Sequence, residues 1–445
     1  MPKSIVIKKS IQNFNGKVNV DGDKSLSIRF CLIASQGIGK SKAYNLLMSE
    51  DILSTINCLR RLGIQINYKK NYCEINGLGI NGFNYKKNIT LDAGNSGTLM
   101  RCLSGCLIRS PYKIKFIGDK SLSKREFRVN EVLKKFGANF YPKHKKTLPI
   151  FIKGTNFVRP IIHKDDIGSG QIKTSILLAS LNSPGETIIE SKKCRDHTER
   201  LFKYLKIPIK IKRKKDYDII KSKGLKNFKS FNYKIPSDPS SSALLIMLTI
   251  LSKNSSILIK NCLINENRIG FYKIVSKMGA KIVFYNKKMY KGEKIADIFC
   301  KTPTNLKSIN LPKNFNNSSA IDEFISIFII AAFSKGISTF KGLSELNKKE
   351  SKRLDWGFKI LKMIGIKAKK IKNHGIKIYG NPKLKLNGKY IIKNYLKDHR
   401  VAMNSVILAL AKGGDWNIHD YKSINTSFPS FLRIIKSLGG KYEKN

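Results

Sequence analysis

The strongest constraint on the fold is a pattern that recurs six times: an amphipathic helical stretch, then a glycine, then a β-rich stretch. Leucine and isoleucine at helical spacing predict a helix, and a glycine directly after it predicts the left-handed residue of a C-cap. One copy has Ile207 in the glycine's place, and the other five end at Gly63, Gly137, Gly279, Gly365 and Gly439. Neighbouring copies lie about 70 to 86 residues apart. That period is too long for a solenoid and fits one small α/β unit per copy.

The six copies divide into three plus three, which predicts two pseudo-symmetric α/β domains. A chain of 445 residues with 41% hydrophobic content is long and apolar enough to bury two cores. The longest apolar runs, "ALLIMLTIL" and "FISIFIIAAF", have about half of the roughly 20 residues that a membrane helix needs. We therefore expect buried core helices there. The apolar run at the N-terminus is too short for a signal peptide, and no membrane partner is predicted.

The net charge is the most extreme feature of the composition. Lysine and arginine number 85 against 30 acidic residues, a formal net charge of +55. Three causes would produce it: nucleic-acid binding, a basic cleft for small anionic substrates, or an AT-rich genome that enriches Lys, Asn and Ile together. The lysines are scattered over the chain rather than gathered in one stripe. This distribution favours the third cause for most of the charge, with the second acting locally.

The eight cysteines indicate neither a metal site nor a disulfide framework. None belongs to a C-x-x-C pair, and no cluster of His and Cys completes a zinc site. Reduced thiols in a cytosolic protein are the simplest interpretation.

Polar islands, most of them with a cation, precede several helical stretches. A helix N-terminus offers free N–H groups and the positive end of the helix dipole, and glycine in the preceding turn lets an anion approach. Lys and Arg in the first turn are unfavourable unless an anion binds between them. The islands are "DGDKSLSIR", "LDAGNSGTLMR", "IGSGQIKTS", "IPSDPSSSA" and "LKDHRVAMN". Together they favour the chemistry of a polyanionic small molecule.

Acidic residues stand out because they are scarce. Asp322 begins an apolar helical stretch, and Glu350 lies among four cations in "KKESKR". Lys349 and Arg353 are four residues apart, so on one helix they would share a face and repel each other. Bound anions between the two cations would remove that repulsion. A carboxylate among cations ionises easily, so Glu350 would need burial with bound substrate to donate a proton.

Twelve strings, which cover nearly the whole chain, occur in the order found in one enzyme family. The most specific are "LDAGNSGTLMR" and "RDHTER". The others are "GDKSLSIR", "SEDILSTINCLRRLGI", "GDKSLSKR", "SGQIKTSILLASLNSPGETIIES", "SDPSSSA", "NENRIG", "AIDEF", "KKESKRL", "DHRVAMN" and "TSFPSF". With these strings the chain resembles the 5-enolpyruvylshikimate-3-phosphate synthases.

The resemblance implies an α/β (α+β) fold of two pseudo-symmetric domains. Each domain would have three βαβαββ units in an inside-out barrel, with the active site in the interdomain cleft. The first domain, residues 22–235, would lie mainly on the shikimate 3-phosphate side. The second, residues 1–21 plus 236–445, would carry Asp322, Glu350, Arg353 and Arg400. The chain would cross between the domains near residues 20–22 and 233–237.

The implied activity is transfer of the enolpyruvyl group of phosphoenolpyruvate to the 5-hydroxyl of shikimate 3-phosphate, by addition and then elimination of phosphate. The enzyme would be a cytoplasmic, monomeric transferase of the shikimate pathway, which leads to the aromatic amino acids. The resemblance implies no metal and no organic cofactor, and no specific nucleic-acid partner. With Gly97 present, the enzyme is expected to be a target of glyphosate.

The resemblance also implies the residues of the site. Glu350 would give the proton to C3, with Asp322 and Lys349 near the attacking hydroxyl. The catalytic set is Lys24, Asp322 and Glu350. Shikimate 3-phosphate would meet Lys24, Ser25, Arg29, Ser169, Gln171, Ser191, Arg195, Asp322 and Lys349. Phosphoenolpyruvate would meet Lys24, Asn95, Gly97, Arg125, Gln171, Arg353 and Arg400.

Several positions depart from the pattern, Thr426 among them, and two other functions remain open. Thr426 stands where some family members carry a lysine against phosphoenolpyruvate, so either that contact is absent or Lys422 supplies it. The nearest alternative is the enolpyruvyl transferase acting on UDP-N-acetylglucosamine, which shares the fold and carries a reactive cysteine on a mobile loop. "RDHTER" and "DHR" favour shikimate instead. An alternative of another class is a nonspecific nucleic-acid-binding basic protein, which rests on charge alone.

Overall fold

The computed structural model describes residues 3–372 and 374–445. The chain folds into two compact units. The terminal unit comprises Met1–Asp21, Pro236–Lys288 and Lys294–Asn445, and the middle unit comprises Gly22–Ile235 with Met289–Glu293. The five residues Met289–Glu293 lie within the 236–445 segment that was predicted to belong to the second domain. They belong to the middle unit because Glu293 is buried against His197, with Oε1 and Nδ1 2.6 Å apart.

The elements of the middle unit alternate between helices and strands. The terminal unit opens the chain with β1 (Ser4–Ile7) and β2 (Asn15–Val18). The middle unit then contains α1 (Lys24–Ala34), β3 (Ile38–Tyr44), α2 (Glu50–Arg61), β4 (Gln65–Lys69), β5 (Tyr72–Leu78), β6 (Thr90–Asp92), α3 (Gly97–Cys106), β7 (Ile114–Ile117), α4 (Asn130–Phe136), β8 (Asn139–Tyr141), β9 (Ile150–Lys153), β10 (Ile162–Asp165), α5 (Gly170–Ser180), β11 (Glu186–Lys192), α6 (His197–Tyr204), β12 (Ile209–Arg213), β13 (Tyr217–Lys223) and β14 (Asn232–Lys234).

The terminal unit continues the same alternation. It contains α7 (Pro239–Leu251), β15 (Ser256–Leu263), α8 (Gly270–Lys277), β16 (Lys281–Tyr290), β17 (Glu293–Lys301), α9 (Phe324–Ala332), β18 (Gly336–Phe340), α10 (Arg353–Met363), β19 (Ala368–Ile371), β20 (Gly375–Gly380), β21 (Lys389–Ile392), α11 (His399–Lys412), β22 (Asp415–His419), α12 (Phe431–Ser437) and β23 (Glu443–Lys444). The last two residues of β16 and the first residue of β17 belong to the Met289–Glu293 segment of the middle unit.

The three sheets of the middle unit share one strand pattern. Their orders are β14-β3-β5-β4, β6-β7-β9-β8 and β10-β11-β13-β12. In each sheet the first pair is parallel and the other two pairs are antiparallel. A parallel pair needs a crossover connection, which α3 supplies between β6 and β7 and α5 supplies between β10 and β11. In the first sheet β3 pairs in parallel with β14, the last strand of the unit. The three sheets are therefore three copies of one α/β unit.

The terminal unit repeats this pattern with one weakened copy. Its sheets are β16-β17-β15-β2, β18-β20-β19 and β21-β22-β1-β23. Parallel pairs join β15 to β2 and β21 to β22. In the β18 sheet the parallel partner is reduced to isolated bridges, Lys307 with Lys335 and Asn310 with Thr339. The mixed α/β architecture of three plus three units is confirmed.

The predicted C-caps follow α2, α4, α6, α8, α10 and α12, which are called the outer helices below. Gly63, Gly137, Gly279, Gly365 and Gly439 all have positive φ, between 78° and 111°. The sixth copy corrects the sequence analysis, because Lys206, and not Ile207, has the left-handed conformation, with φ at 57°. Ile207 is buried and donates its N–H to Phe202 O at 2.9 Å. Its apolar side chain belongs to the core, so the cap falls one residue earlier.

Each unit also has three inner helices, which are apolar around most of their circumference. They are α1, α3 and α5 in the middle unit and α7, α9 and α11 in the terminal unit. All residues of α7 and α9 are buried, so the predicted core helices are confirmed. In the middle unit α3 packs against α1 and α5, and each of these helices is buried apart from a few residues at its N-terminal end. No helix in residues 3–372 and 374–445 is long and apolar enough to span a bilayer. Polar side chains on these inner helices are therefore most accessible at the helix starts.

Candidate functional site

The inner helices of the middle unit begin at candidate residues. A side-chain oxygen caps each start: Asp23 accepts from Leu26 N at 2.7 Å, and Ser96 accepts from Leu99 N at 3.2 Å. Ser169 Oγ lies 3.4 Å from Ile172 N at the start of α5. Such caps satisfy N–H groups that have no partner within the helix. They fix the backbone at the residues predicted to bind substrate.

Lys24 and Ser25 lie in the first turn of α1, and each has a polar partner. Lys24 Nζ lies 3.1 Å from Asp51 Oδ2, which is in the first turn of α2. Arg195, just before α6, donates from Nη1 to Ser25 Oγ at 3.1 Å. Asp51 lies in one of the quoted strings but was not predicted to be a site residue. A carboxylate at this distance holds the lysine ammonium in place.

Arg29 lies one turn after Ser25 on α1 and is almost completely buried. Nη2 donates to Thr174 Oγ1 at 2.8 Å and to Gly170 O at 3.1 Å, and Nε donates to Thr198 Oγ1 at 3.0 Å. Burial lowers the pKa of Arg29 below its ordinary value. These bonds join α1 to α5 and α6. Its contact with shikimate 3-phosphate stays a prediction.

Asn95, Gly97 and Arg125 form a group at the start of α3. Arg125 Nη2 donates to Asn95 O at 2.5 Å and to Asn95 Oδ1 at 2.8 Å. A Cβ atom at Gly97 would lie 3.4 Å from Arg125 Nη1 and 3.0 Å from Arg101 Nη1. The missing side chain at position 97 therefore leaves space beside two guanidinium groups.

Gln171 is held by a residue without an assigned role in the sequence analysis. Arg101 Nη1 donates to Gln171 Oε1 at 2.6 Å, and Gln171 Nε2 donates to Thr98 Oγ1 at 2.9 Å. Arg101 is itself fixed by Phe127 O, 3.1 Å from its Nε. The sequence signal was the position of Arg101, four residues after Gly97 on the same helix.

Ser191 is the candidate residue least accessible to a ligand. It is fully buried at the end of β11, and its Oγ lies 3.1 Å from Asp165 Oδ2 and 3.0 Å from Lys192 O. Asp165 was not singled out from the sequence. The hydroxyl therefore contacts protein oxygens, and a contact between Ser191 and substrate stays a prediction.

The candidate residues of the terminal unit gather around Arg353. Nε donates to Asp398 Oδ2 at 2.9 Å, Nη1 donates to Asp322 Oδ1 at 2.9 Å, and Nη2 donates to Glu350. Burial lowers the pKa of Arg353, but the charges of Asp398, Glu350 and Asp322 outweigh burial and raise that pKa above its ordinary value. Arg353 is therefore a fixed cation within a carboxylate cluster.

This geometry corrects the expectation for Lys349 and Arg353. The two residues do not share a helix, because α10 begins at Arg353 and Lys349 directly follows the short helical turn Ser344–Lys348. Asp322 Oδ1 lies 3.4 Å from Lys349 Nζ and 2.9 Å from Arg353 Nη1. Asp322 therefore lies against both cations, and anion binding between them stays a prediction.

Asp398 connects the start of α10 to the start of α11. It accepts from Ser351 Oγ at 2.8 Å and, as the N-cap of α11, from Arg400 N at 2.9 Å. Arg400 is buried, and its Nη1 donates to Ser240 O at 3.1 Å. The sequence signal for Asp398 was its place in the "DHR" island. Its role in holding Arg353 was missed.

Glu323 is a second acid that the sequence analysis left without a role. It is buried beside Asp322, and burial and the Asp322 charge raise the pKa of Glu323. Arg400 and Arg268 oppose that rise, as does a hydrogen bond with Ser240. Its side chain therefore extends the charged cluster behind Arg400.

Thr426 lies in the position that the sequence analysis left open. Its Oγ1 lies 3.2 Å from His399 Nδ1 and 2.8 Å from Ser423 O. Thr426 is buried, whereas Lys422 is exposed. The Thr426 hydroxyl is therefore within hydrogen-bonding distance of protein groups, one of which, His399, directly precedes Arg400.

The cysteines offer no exposed thiol. All eight are unpaired and buried. Burial raises the pKa of the Cys58 and Cys300 thiols to about 12. Since the thiolate is the reactive form of cysteine, these side chains are inert packing residues.

The chain is similar to proteins of one family along nearly its whole length. A family model described as EPSP synthase (3-phosphoshikimate 1-carboxyvinyltransferase) matches residues 8–435. The 3-phosphoshikimate 1-carboxyvinyltransferase of Zymomonas mobilis subsp. mobilis is 35% identical over 443 residues, which cover 98% of this chain and 97% of that protein. The enzyme of the same name from Bartonella tribocorum is 36% identical over 434 residues, covering 96% and 97%.

Solved structures are similar to the chain over the same extent. EPSP synthase from Acinetobacter baumannii has a TM-score of 0.86 at 32% identity, with 100% of both chains covered. The enolpyruvyl transferase NikO from Streptomyces tendae has a TM-score of 0.73 at 12% identity, covering 100% of this chain and 99% of that chain. The second likeness concerns the fold alone.

Proposed function

Because the chain belongs to the EPSP synthase family, we propose that it transfers the enolpyruvyl group of phosphoenolpyruvate to the 5-hydroxyl of shikimate 3-phosphate. The hydroxyl oxygen bonds to C2 while C3 takes a proton, which gives a tetrahedral ketal phosphate. C3 then loses a proton, the C2–O bond to phosphate breaks, and the enol ether forms. The single observation that carries the proposal is the family match over residues 8–435.

We assign the middle-unit residues to binding of the two substrates. Ser25 and Arg195, 3.1 Å apart, together with Ser169, present hydroxyl and guanidinium groups suited to a phosphate. Lys24, Asn95, Gly97, Arg125 and Gln171 supply the phosphoenolpyruvate side. The space at Gly97 beside two guanidinium groups supports an anion there. The helix dipole at the start of α3 adds to that attraction.

In the terminal unit, Glu350 is the proposed proton donor to C3. In this structure Glu350 contacts Arg353, and a neighbouring cation favours the ionised form of a carboxylate. A phosphoenolpyruvate carboxylate that takes over hydrogen bonds from Arg353 and Arg400 would release Glu350 from this pairing. Substrate binding would then make protonation of Glu350 easier, as proton donation to C3 requires.

Asp322 and Lys349 are the proposed partners of the 5-hydroxyl. Lys349 Nζ lies 3.4 Å from Asp322 Oδ1, so the pair offers a proton acceptor next to a fixed positive charge. Lys24 and the arginines would stabilise the anionic ketal phosphate, because preorganised charges cost no reorganisation during the reaction. We propose that the clusters of both units act on the same pair of substrates.

We further propose that the enzyme works in the cytoplasm and as a monomer. Eight unpaired cysteines fit a reducing compartment. Every proposed site residue comes from one chain, so no second copy is needed to complete the set. The burial of all eight cysteines also counts against the UDP-N-acetylglucosamine reaction, in which a reactive cysteine on a mobile loop takes part.

Phosphate release tests the proposed function directly. Shikimate 3-phosphate and phosphoenolpyruvate together should give phosphate at a steady rate, and omission of either should abolish the rate. UDP-N-acetylglucosamine in place of shikimate 3-phosphate is the control and should give none. A protein that releases phosphate only with UDP-N-acetylglucosamine, or with neither acceptor, would not have the proposed function.

A further inference from the structure

The loop between β10 and α5 is wrapped around one buried carboxylate. Asp165, the last residue of β10, accepts backbone hydrogen bonds at Oδ1 from Ile167 N at 3.2 Å and Gly168 N at 3.1 Å. Its Oδ2 accepts from Ser169 N at 2.8 Å and from Ser191 Oγ at 3.1 Å. Asp165 is 4% exposed. Four donors therefore converge on one side chain that has no donor of its own when ionised.

The Asp165 carboxylate lies where the backbone N–H groups of the loop could otherwise bind an anion from solution. Successive N–H groups that point into one concavity form an anion-binding nest, and helix N-termini attract anions for the same reason. Here the N–H groups of residues 167–169 all bind Asp165. The loop backbone is thus already neutralised by its own chain. A substrate phosphate must then be bound by side chains at the loop surface, with Ser169 first among them.

The same loop sets the position of Arg195. A Cβ at Gly170 would lie only 3.0 Å from Arg195 Cβ, so the glycine allows the two backbone segments to touch. Gly168 makes a similar approach to Lys192, with φ at 74°. Arg29 donates from Nη2 to the carbonyl of Gly170 at 3.1 Å. The shape of the loop therefore fixes the distance between Ser169 and the guanidinium groups beside it.

We propose that Asp165 is the positioning residue for the shikimate 3-phosphate side of the site, acting through Ser169, Ser191 and the loop that carries Gly170. The inference rests on the proposed function, because it assigns these residues to the phosphorylated acceptor. Both oxygens of Asp165 accept from protein donors, so the residue would act through them rather than by contact with substrate. Oδ1 accepts from the loop backbone, whereas Oδ2 accepts from Ser169 N and Ser191 Oγ. A substitution that removes one of the two oxygens therefore tests the role.

The variant Asp165→Asn separates positioning from folding. An asparagine keeps one acceptor oxygen but presents an NH₂ group where the second carboxylate oxygen was. Whichever way the amide turns, one pair of donors loses its acceptor, while the volume of the side chain is unchanged. The matched control is Asp166→Asn, since the Asp166 side chain is 69% exposed and lies 3.7 Å from Lys164. Ser191→Ala removes the single bond between Ser191 and Asp165.

The measurement is steady-state phosphate release with each substrate varied in turn, alongside thermal unfolding of each variant. For Asp165→Asn we expect the KM for shikimate 3-phosphate to rise about 10-fold or more, since orphaned buried donors are costly. The KM for phosphoenolpyruvate should stay within about two-fold, because Lys24, Asn95 and Arg125 lie on other elements. Gln171 follows the loop but is held from α3 by Arg101 and Thr98. Ser191→Ala should raise the KM for shikimate 3-phosphate by a smaller factor. Asp166→Asn should change the KM of neither substrate.

Three results would overturn the inference. One is a folded Asp165→Asn enzyme with both KM values unchanged, and another is an equal rise in both. The third is an Asp165→Asn chain that does not fold together with a Ser191→Ala enzyme of unchanged KM. An active wild-type enzyme with any of these results refutes the role of Asp165 alone. A wild-type protein that neither turns over nor binds shikimate 3-phosphate in calorimetry refutes the proposed function, and this inference with it.

Discussion

Arg353 shows how one residue organises the charges of the terminal unit. Three carboxylates from different segments surround it: Asp322, Glu350 and Asp398. The positive charge of Arg353 offsets the mutual repulsion of the three carboxylates, and their negative charges raise the pKa of Arg353. Removing one partner of such a buried cluster would leave a charge uncompensated, which is costly. The arrangement keeps Glu350 close to its proposed position while its charge stays neutralised.

At Glu350, the change to glutamine tests proton donation. Glu350→Gln should lower kcat by a factor on the order of 10² to 10⁴, the usual contribution of a general acid. Binding of shikimate 3-phosphate should stay within about two-fold, because the residue is assigned to C3 of the other substrate. Phosphate release and calorimetry measure the two effects. The control is Glu345→Gln, an acid that pairs with Lys348 at 2.8 Å outside the cluster. An unchanged kcat in Glu350→Gln would refute the assignment.

At Glu323, the prediction concerns stability and pH. The pKa of Glu323 is raised in the folded chain by burial and by Asp322, against the opposing effects of Arg400, Arg268 and Ser240. Below about pH 4.3, the ordinary value of glutamate, both states are protonated and the residue has no effect. Above it the unfolded chain ionises first, so the free energy of unfolding falls as pH rises toward the folded pKa.

Glu323→Gln should therefore gain stability relative to wild type as pH increases above about 4.3. Urea denaturation of both proteins at several pH values from 4.5 upward measures the difference. A difference that stays constant over that range, or shrinks with rising pH, would contradict the raised pKa. The comparison uses only the pH dependence, so a constant effect of the amide on the hydrogen bond to Ser240 cancels.

The outer and inner helices differ in which end carries the specialised residues. The outer helix α6 ends at a lysine in the left-handed conformation, where the corresponding helices of the other five units end at glycine. The inner helices instead begin with capping side chains and carry the candidate binding residues in their first turns. An inner helix that is apolar around its circumference places polar groups at an end at the least cost. This explains why the polar islands precede the helices in the sequence.

The cap of α6 leads to a prediction about stability. Lys206→Gly should stabilise the protein by about 1 kcal/mol, because the left-handed conformation costs an L-residue roughly 1–2 kcal/mol and the entropy of glycine offsets part of the gain. The matched control is Lys203→Gly, the same substitution inside α6, which should destabilise by up to about 1 kcal/mol. Chemical denaturation measures both. A loss of stability in Lys206→Gly would show that its left-handed conformation carries no strain.

At the scale of the whole molecule, the dominant property is charge. The formal net charge of +55 is distributed over both units, whereas the acids Asp322, Glu350 and Asp398 are concentrated in one cluster. A field of this sign attracts anionic substrates of any kind and speeds their encounter with the protein. Selectivity must then come from the geometry of the two clusters.

Charge that is scattered along the whole chain should give only weak binding to nucleic acid. We expect duplex DNA to bind with a dissociation constant on the order of 10⁻⁴ M or weaker at physiological salt, without sequence preference. Fluorescence polarisation of a labelled duplex at low and physiological salt measures it. Binding at micromolar concentration or tighter with a steep salt dependence would favour the nucleic-acid-binding alternative. Competition by shikimate 3-phosphate would indicate that DNA occupies the proposed site.

Local sequence determined the architecture of this protein. Helical periodicity and the five glycine caps involve residues within a few positions of each other, so the six α/β units and the buried helices could be predicted. The motif order then identified the family and the set of candidate residues. The sixth cap was misplaced by one residue because Ile207 and Lys206 differ in burial, which depends on the packed core.

Only the tertiary structure decided what holds those residues in place. Asp398 meets Arg353 across 45 residues of chain, Arg101 meets Gln171 across 70, and Asp165 meets Ser191 across 26. Periodicity reports the local backbone and carries no information on which distant side chains come within hydrogen-bonding distance. Those pairings arise when strands and helices pack, and they decide which charges are neutralised before a substrate binds.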